Sequence, residues 1–115
     1  MLFIYKLKDG KGNIKEYNYY NVILIFEGEY LNGERNGKGQ EYYYGELIFE
    51  GEYLNGKRWN GKGQEYDEYD GDLIFEGEYL NGKRWNGKGQ EYNGDKFKYE
   101  IVEYLNGKNK VIEKK

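Results

Sequence analysis

The side chains of this chain that could do chemistry are carboxylates, amines, guanidinium groups and phenols. The sequence contains no His, Cys, Ser or Thr. The usual nucleophiles at neutral pH and the commonest general base are therefore missing. Structural zinc sites also lose both of their preferred ligands. We therefore expect no catalytic residue, no metal site and no cofactor, and we interpret the chain as a non-enzyme.

The carboxylates that remain have two chemical interpretations. Glu50 and Glu52 lie two residues apart on one face of a strand, and one interpretation is the pair of catalytic carboxylates of a glycosidase. The same pair recurs in each repeat, however, whereas an active site needs its residues once. In the acidic connection at residues 67–72, Glu68, Asp70 and Asp72 stand at alternate positions, as the ligands of a calcium loop do. Leu73, however, occupies the sixth position, where such a loop requires glycine. We therefore predict a solvent-facing acidic ladder and a solvated turn.

Length and composition predict one domain with a small hydrophobic core. The chain has 115 residues, of which 34% are charged and 37% hydrophobic, and its mean hydropathy is -1.11. Such values are typical of disordered chains. However, 19% of the residues are aromatic, and disordered chains contain few aromatic residues. The net charge of -3 provides no general attraction for nucleic acid. The segment MLFIYKLKDG has no basic region before its apolar residues, so we expect a cytoplasmic protein.

Internal repeats organise the chain. LIFEGEYLNGERNGKGQEY begins at Leu24, and LIFEGEYLNGKRWNGKGQEY begins at Leu47 and again at Leu73, so the steps are 23 and 26 residues. Weaker copies cover both ends. We predict one repeat domain, 1–115, with these parts: an N-terminal capping half-repeat, 1–23; three repeats, 24–46, 47–72 and 73–96; and a C-terminal capping repeat, 97–115.

Each repeat reads as a β-hairpin. Phe49, Gly51 and Tyr53 alternate with glutamates and fall on one face of a strand. Asn-Gly pairs are strong hairpin signals, and we expect the turn to run from Asn55-Gly56 to Asn60-Gly61. Asn93-Gly94 predicts a turn between repeats. Two strands per repeat give an all-β antiparallel meander of tandem hairpins with roughly eight to ten strands.

Glycines are expected to leave room for aromatic rings. Gly28, Gly51 and Gly77 have no side chain, so rings from adjacent strands can lie over their backbones. At the chain ends, bulky residues take the glycine positions, as capping repeats require. By alignment these are Phe3, Ile14 and Ile101-Val102.

Two sets of residues are candidates for binding. The aromatic rows are either the core or a groove that grips a partner segment, and the core interpretation is the stronger because so little else can be buried. The second set lies in the expected first turns, where Trp and Arg would form an edge that contacts anionic lipid or a partner. The groove candidates are Phe26, Tyr30, Phe49, Tyr53, Phe75 and Tyr79, and the edge candidates are Arg35, Arg58, Trp59, Arg84 and Trp85.

The string EGEYLNGKR-NGKGQEY resembles the MORN repeat family, and the 23-residue step is similar to its bacterial variant repeats. The resemblance covers nearly the whole chain. It implies a single-layer twisted antiparallel sheet with an aromatic groove. Family members serve as protein-binding scaffolds, as homotypic assembly units or as lipid-associated modules, and some bacterial relatives are antitoxins.

We therefore expect a non-catalytic scaffold that binds a protein partner or self-associates through its sheet ends. The alternative is a module that binds anionic lipid or a membrane surface through the Trp and Arg edge. Glycan recognition is a third possibility, because similar hairpin repeats occur in exported cell-wall-binding modules. We expect no nucleic-acid partner.

Overall fold

The computed structural model of the protein describes residues 2–8, 10–18, 23–92 and 99–114. All regular structure in these residues is β-strand, and no helix in them is long and apolar enough to cross a membrane. The strands are β1 (Leu2–Lys8), β2 (Lys11–Tyr17), β3 (Leu24–Leu31), β4 (Glu34–Tyr43), β5 (Glu46–Leu54), β6 (Lys57–Tyr66), β7 (Leu73–Leu80), β8 (Lys83–Tyr92), β9 (Tyr99–Leu105) and β10 (Lys108–Lys114).

The fold is an antiparallel meander, because sheet order follows chain order from β1 to β10. The chain divides into two compact units, residues 1–61 and 62–115. Inside each unit, consecutive strands pair antiparallel, as in β3 with β4 and β7 with β8. The prediction of an all-β meander of hairpins is therefore confirmed. The turn predicted at Asn93-Gly94 and the start of the last repeat at residue 97 lie outside the described residues.

Two-residue turns connect the strands of the hairpins. Asn32, Asn55, Asn81 and Asn106 have φ angles of 50–51°, and the glycine after each also has positive φ. Positive φ at both central residues defines the type I′ turn, whose twist matches that of the strands. Strand β6 therefore begins at Lys57, directly after Asn55-Gly56.

The longer turn that we expected from Asn55 to Gly61 is therefore wrong. Asn60-Gly61 belongs to β6, and Trp59 and Trp85 lie in β6 and β8 rather than in turns. The physical reason is that Asn55-Gly56 alone completes the turn, so the extra residue is absorbed as a β-bulge. In β8 this bulge separates the pair Glu78↔Asn86 from the pair Tyr79↔Arg84.

Alternation along the strands places the core on one face. In β5, Phe49 and Tyr53 are buried while Glu50, Glu52 and Leu54 between and beyond them are exposed. A strand turns successive side chains to opposite faces, so the period of two predicts this pattern. We call the face that carries the buried rings the ring face.

Glycines let strands and rings approach closely, and of the three predicted positions Gly28 has an aromatic ring against it, whereas Gly51 and Gly77 have backbone. A Cβ on Gly51 would lie 2.6 Å from the Cα of Gly61, so this glycine allows close contact between backbones. Rings lie over glycines of the facing strand, since a Cβ on Gly61 would lie 2.8 Å from the Phe49 ring. A Cβ on Gly28 would lie 2.8 Å from the Phe26 ring of its own strand. A Cβ on Gly39 would lie 2.7 Å from the Phe26 ring and 3.0 Å from the Tyr53 ring.

Bulky residues replace glycine toward both ends, as predicted for Ile14 and Val102. Ile14 pairs with Gly28 and Val102 pairs with Gly89, and both side chains are buried, with 4% and 1% exposure. The alignment of Phe3 with Gly28 is wrong. Phe3 pairs with Glu16, as Phe26 pairs with Glu41, because β1 and β2 meet without the bulge of the later hairpins.

Candidate functional site

The six aromatic residues predicted as a groove are buried by the protein itself. The phenylalanines are 0–1% exposed and the tyrosines 3–8% exposed, which fits the core interpretation. Rings also meet between hairpins: Phe26 contacts Tyr53 edge to face with centroids 5.2 Å apart. The residues are Phe26, Tyr30, Phe49, Tyr53, Phe75 and Tyr79. A partner would first meet the side chains that cover them.

Arginines cover these rings. The Arg35 guanidinium carbon lies 4.2 Å from the centroid of the Phe26 ring, and Arg58 lies 4.6 Å from that of Phe49. Stacking of a guanidinium on an aromatic face is favourable, more so where water is excluded. The three predicted edge arginines therefore lie on the ring face.

A glutamate from the preceding hairpin binds each arginine. The Arg58 Nε and Nη2 atoms donate to the two oxygens of Glu41 at 2.9 and 3.0 Å, and the Tyr53 hydroxyl donates to the same carboxylate at 2.6 Å. Arg84 makes the same two-pronged contact with Glu65 at 3.0 and 2.9 Å. Paired contacts of this kind fix geometry as well as adding energy.

This set of four side chains recurs, and we call it a rung: a glutamate, then the phenylalanine, tyrosine and arginine of the next hairpin. Arg35 Nε donates to Glu16 Oε2 at 2.7 Å in the first rung. The three rungs are Glu16, Phe26, Tyr30 and Arg35; Glu41, Phe49, Tyr53 and Arg58; and Glu65, Phe75, Tyr79 and Arg84.

The environment of a rung shifts the pKa values of its side chains. These shifts favour a charged glutamate, a charged arginine and a neutral tyrosine. Burial alone would raise the pKa of the Glu41 carboxyl, but the hydrogen bonds and charge of Arg58 outweigh burial, and the pKa is lowered. Burial, together with the hydrogen bond to Glu16, raises the pKa of Tyr30 to about 12. The hydrogen bond to Glu65 is the largest influence that raises the pKa of Arg84.

The rungs hold hairpins together, and their polar groups are satisfied within the protein. In the described part of the chain, no buried side-chain nitrogen or oxygen lacks a hydrogen-bond partner. No group of three or more carboxylates that could hold a metal ion occurs there either. The arrangement is therefore suited to positioning a surface.

The five residues of the predicted Trp and Arg edge lie in strands β4, β6 and β8. Arg35, Arg58 and Arg84 belong to the rungs, with side chains 16–24% exposed. Trp59 and Trp85 are half-buried. The Trp85 ring packs against the next turn, where a Cβ on Gly107 would lie 3.0 Å from it.

Exposed tyrosines between hairpins form a surface that the sequence reasoning missed. Tyr43 and Tyr44 are 48% and 68% exposed, and Leu47 beside them is 49% exposed. The two rings meet edge to face with centroids 4.8 Å apart. The sequence signal for this surface was the pair Tyr44-Gly45. It forms a two-residue turn, and the other described turns of this kind carry Asn-Gly. We call Tyr43, Tyr44 and Leu47 the tyrosine turn.

Comparisons of the chain with protein-family models, with curated proteins and with solved structures found no match. The resemblance to MORN repeats stays a prediction made from the sequence.

Proposed function

We propose that this protein is a non-catalytic scaffold that binds a protein partner through the tyrosine turn. The rungs are committed to joining hairpins, so binding falls to side chains that the fold leaves exposed. Tyrosine is enriched in protein interfaces because its ring is large and amphipathic.

The observation that carries the proposal is the backbone of Tyr44. Its φ is 47°, a left-handed conformation that costs a residue other than glycine, asparagine or aspartate about 1–2 kcal/mol. The four other described turns of this kind use Asn at the equivalent position, with φ of 50–51°. A strained conformation held by an exposed ring points to a function for that ring.

The test is the substitution Tyr44→Asn, which restores the residue of the other turns. We expect the free energy of unfolding to rise by about 1 kcal/mol, because Asn tolerates this conformation better than Tyr. We expect affinity for the partner to fall about tenfold or more, as for an interface tyrosine. The partner is first isolated by crosslinking to the parent chain in a lysate of the source cells and then titrated in purified form.

The matched control is Leu105→Ser, which removes an apolar side chain that is 62% exposed at a different turn. It should leave the affinity unchanged. If Tyr44→Asn stabilises the protein and binds the partner as tightly as the parent chain does, the tyrosine turn is not the binding surface.

Self-association through the sheet ends is a second form of the same proposal. Val111 and Ile112 of β10 are 43% and 44% exposed on the last strand of the sheet order. Lys108 and Lys110 on the same strand, and its bulge between Val111 and Glu113, oppose unlimited addition of strands. Light scattering across a concentration series tests this, and a strictly monomeric mass would exclude it.

Lipid binding through the Trp and Arg edge stays a prediction, which flotation with anionic liposomes would test. A double Trp59→Ala and Trp85→Ala variant that floats as well as the parent chain would exclude that edge. A cytoplasmic location belongs to the same proposal and can be checked by cell fractionation.

A further inference from the structure

The series of rungs contains a fourth glutamate without an arginine. The chain has three arginines, 35, 58 and 84, and they bind Glu16, Glu41 and Glu65 respectively. Glu91 is the next glutamate in the series. It pairs with Glu100 across β8 and β9, at the position where Glu41 pairs with Phe49.

The last hairpin keeps only the tyrosine of the rung. The Tyr104 hydroxyl donates to Glu91 at 3.1 Å, as the Tyr53 hydroxyl does to Glu41. The arginine position is occupied by Asn109, which pairs with Tyr104 as Arg84 pairs with Tyr79. The phenylalanine position is Glu100. Both the guanidinium and the ring on which it would stack are therefore replaced.

A cavity of about 480 Å³ lies beside Glu91, the glutamate of the incomplete rung, and Arg84 of the preceding rung also lines it. Leu73 and Tyr99 contribute apolar and aromatic surface, and the carboxylates of Asp67, Asp70 and Asp72 add negative charge. The charge of Arg84 is already compensated by Glu65, 2.9 Å away, and its Nη1 donates to the Tyr104 hydroxyl at 2.8 Å, which leaves the second oxygen of Glu91 for a further donor. The cavity is thus acidic, partly apolar and adjacent to a carboxylate that bonds guanidinium elsewhere in the series.

We infer that this cavity binds an arginine side chain of the protein partner, whose guanidinium completes the fourth rung on Glu91. The three completed rungs define the chemistry of the ligand. In each of them the glutamate accepts hydrogen bonds from a guanidinium and from an aromatic hydroxyl. The planar guanidinium matches a carboxylate with two parallel hydrogen bonds, which an ammonium group cannot do. The inference rests on the proposed function, since it names the chemistry of the partner.

The experiment titrates the full chain with N-acetyl-arginine N-methylamide and with the lysine equivalent of the same charge, and follows the Tyr104 ring by NMR. We expect saturable shifts at Tyr104 and about tenfold tighter binding of the arginine probe, because one added charged hydrogen bond is worth about one decade. Free arginine should bind more weakly than the blocked probe, because its carboxylate is repelled. Equal binding of the lysine probe would overturn the guanidinium assignment.

Glu91→Gln should weaken the arginine probe about tenfold, whereas Glu78→Gln removes the same charge from the opposite face of β7 and should have no effect. Unchanged binding in Glu91→Gln would overturn the inference.

Asn109→Arg provides a second test that does not need a partner, because it supplies the missing arginine from within the chain. It should abolish probe binding and raise the thermal midpoint, and Glu91→Gln in the same chain should remove that gain. Retained probe binding in Asn109→Arg would contradict the inference.

The two proposals fail separately. Tyr44→Asn tests the scaffold function through partner affinity, whereas the probe tests Glu91 without a partner. If the tyrosine turn binds and the probe does not, only the fourth rung is wrong. If the probe binds and Tyr44→Asn keeps full affinity for the partner, the binding surface lies at the cavity instead of the tyrosine turn.

Discussion

At the scale of single residues, one carboxylate does several structural tasks. Glu41 accepts hydrogen bonds from Arg58 and from the Tyr53 hydroxyl. Its side chain is 17% exposed, so solvent screens these contacts only partly. A charge that is buried to this degree is stabilising only while its partners are present.

Glu41→Gln should therefore lower the free energy of unfolding at pH 7 by about 1.5–3 kcal/mol, the value of hydrogen bonds to a charged group. The pKa of Glu41 is lowered in the fold, so its contribution is complete above the unfolded pKa of about 4.3 and is lost as pH falls through the folded pKa. Urea denaturation at pH 7 and pH 3 should show a smaller pH effect in the variant. Glu52→Gln, on the exposed face of β5, is the control, and an equal loss there would contradict the rung.

Tyr30 predicts an effect at alkaline pH. Its pKa is raised to about 12, against about 10 in an unfolded chain. The neutral hydroxyl therefore stabilises the fold fully below pH 10, and this stability is lost as pH rises from about 10 to 12. Tyr30→Phe should lose less stability than the parent chain between pH 9 and pH 11 in urea denaturation. Equal losses in the two proteins would show that another group controls this range.

At the scale of elements, the inserted tryptophan sets the register of a hairpin. Without it, Gly28 pairs with Gly39, the second glycine of the facing strand. With Trp85, Gly77 pairs with Gly87, which is the first glycine. The bulge of the hairpin without tryptophan contains two extra residues, and that of the hairpin with tryptophan contains one. With Trp85 present, the register of the first hairpin would need three extra residues in the bulge.

Deletion of Trp85 should therefore move the pairing of β7 and β8 by two residues, so that Gly77 faces Gly89. The contact of the indole with Gly107 would also be lost. Cross-strand NOEs between backbone protons identify the partner of Gly77 directly. The reciprocal control inserts Trp after Arg35 and should move Gly28 from Gly39 to Gly37. A register that survives the deletion would show that distant contacts fix it.

At the scale of the whole molecule, successive hairpins contact each other through three complete rungs and, at the last hairpin, through the pair Glu91 and Tyr104. In repeat proteins the stability is approximately the sum of repeat terms and nearest-neighbour terms. The ion pair between the carboxylate of one hairpin and the arginine of the next contributes to each nearest-neighbour term. The first unit contains two complete rungs and the second unit contains one.

An added hairpin should therefore fold onto its neighbours. A second copy of residues 24–46, inserted directly after residue 46, adds 23 residues to a chain of 115 and one further rung. Because the urea m-value scales with the surface exposed on unfolding, it should increase by about one fifth. The same insertion with Arg changed to Gln in the new copy is the control and should gain less stability. An unchanged m-value would mean that the new hairpin stays unfolded.

The sequence by itself determined the all-β class and the antiparallel meander of hairpins. Alternating Phe, Gly and Tyr identify one face of a strand, and the Asn-Gly that directly follows Tyr-Leu forms a tight turn, so both depend on residues close together in the chain. The same local rules predicted bulky residues at Ile14 and Val102. They also identified the aromatic rows that form the core.

Only the tertiary structure decided where Arg35, Arg58 and Trp85 lie, and that Glu91 is left without an arginine. A bulge moves a side chain between faces, and its size differs between the hairpins with and without the tryptophan. The arginines turn to the ring face because carboxylates of a different hairpin meet them there. Those carboxylates lie 17–19 residues away along the chain, so no local pattern could reveal the contact.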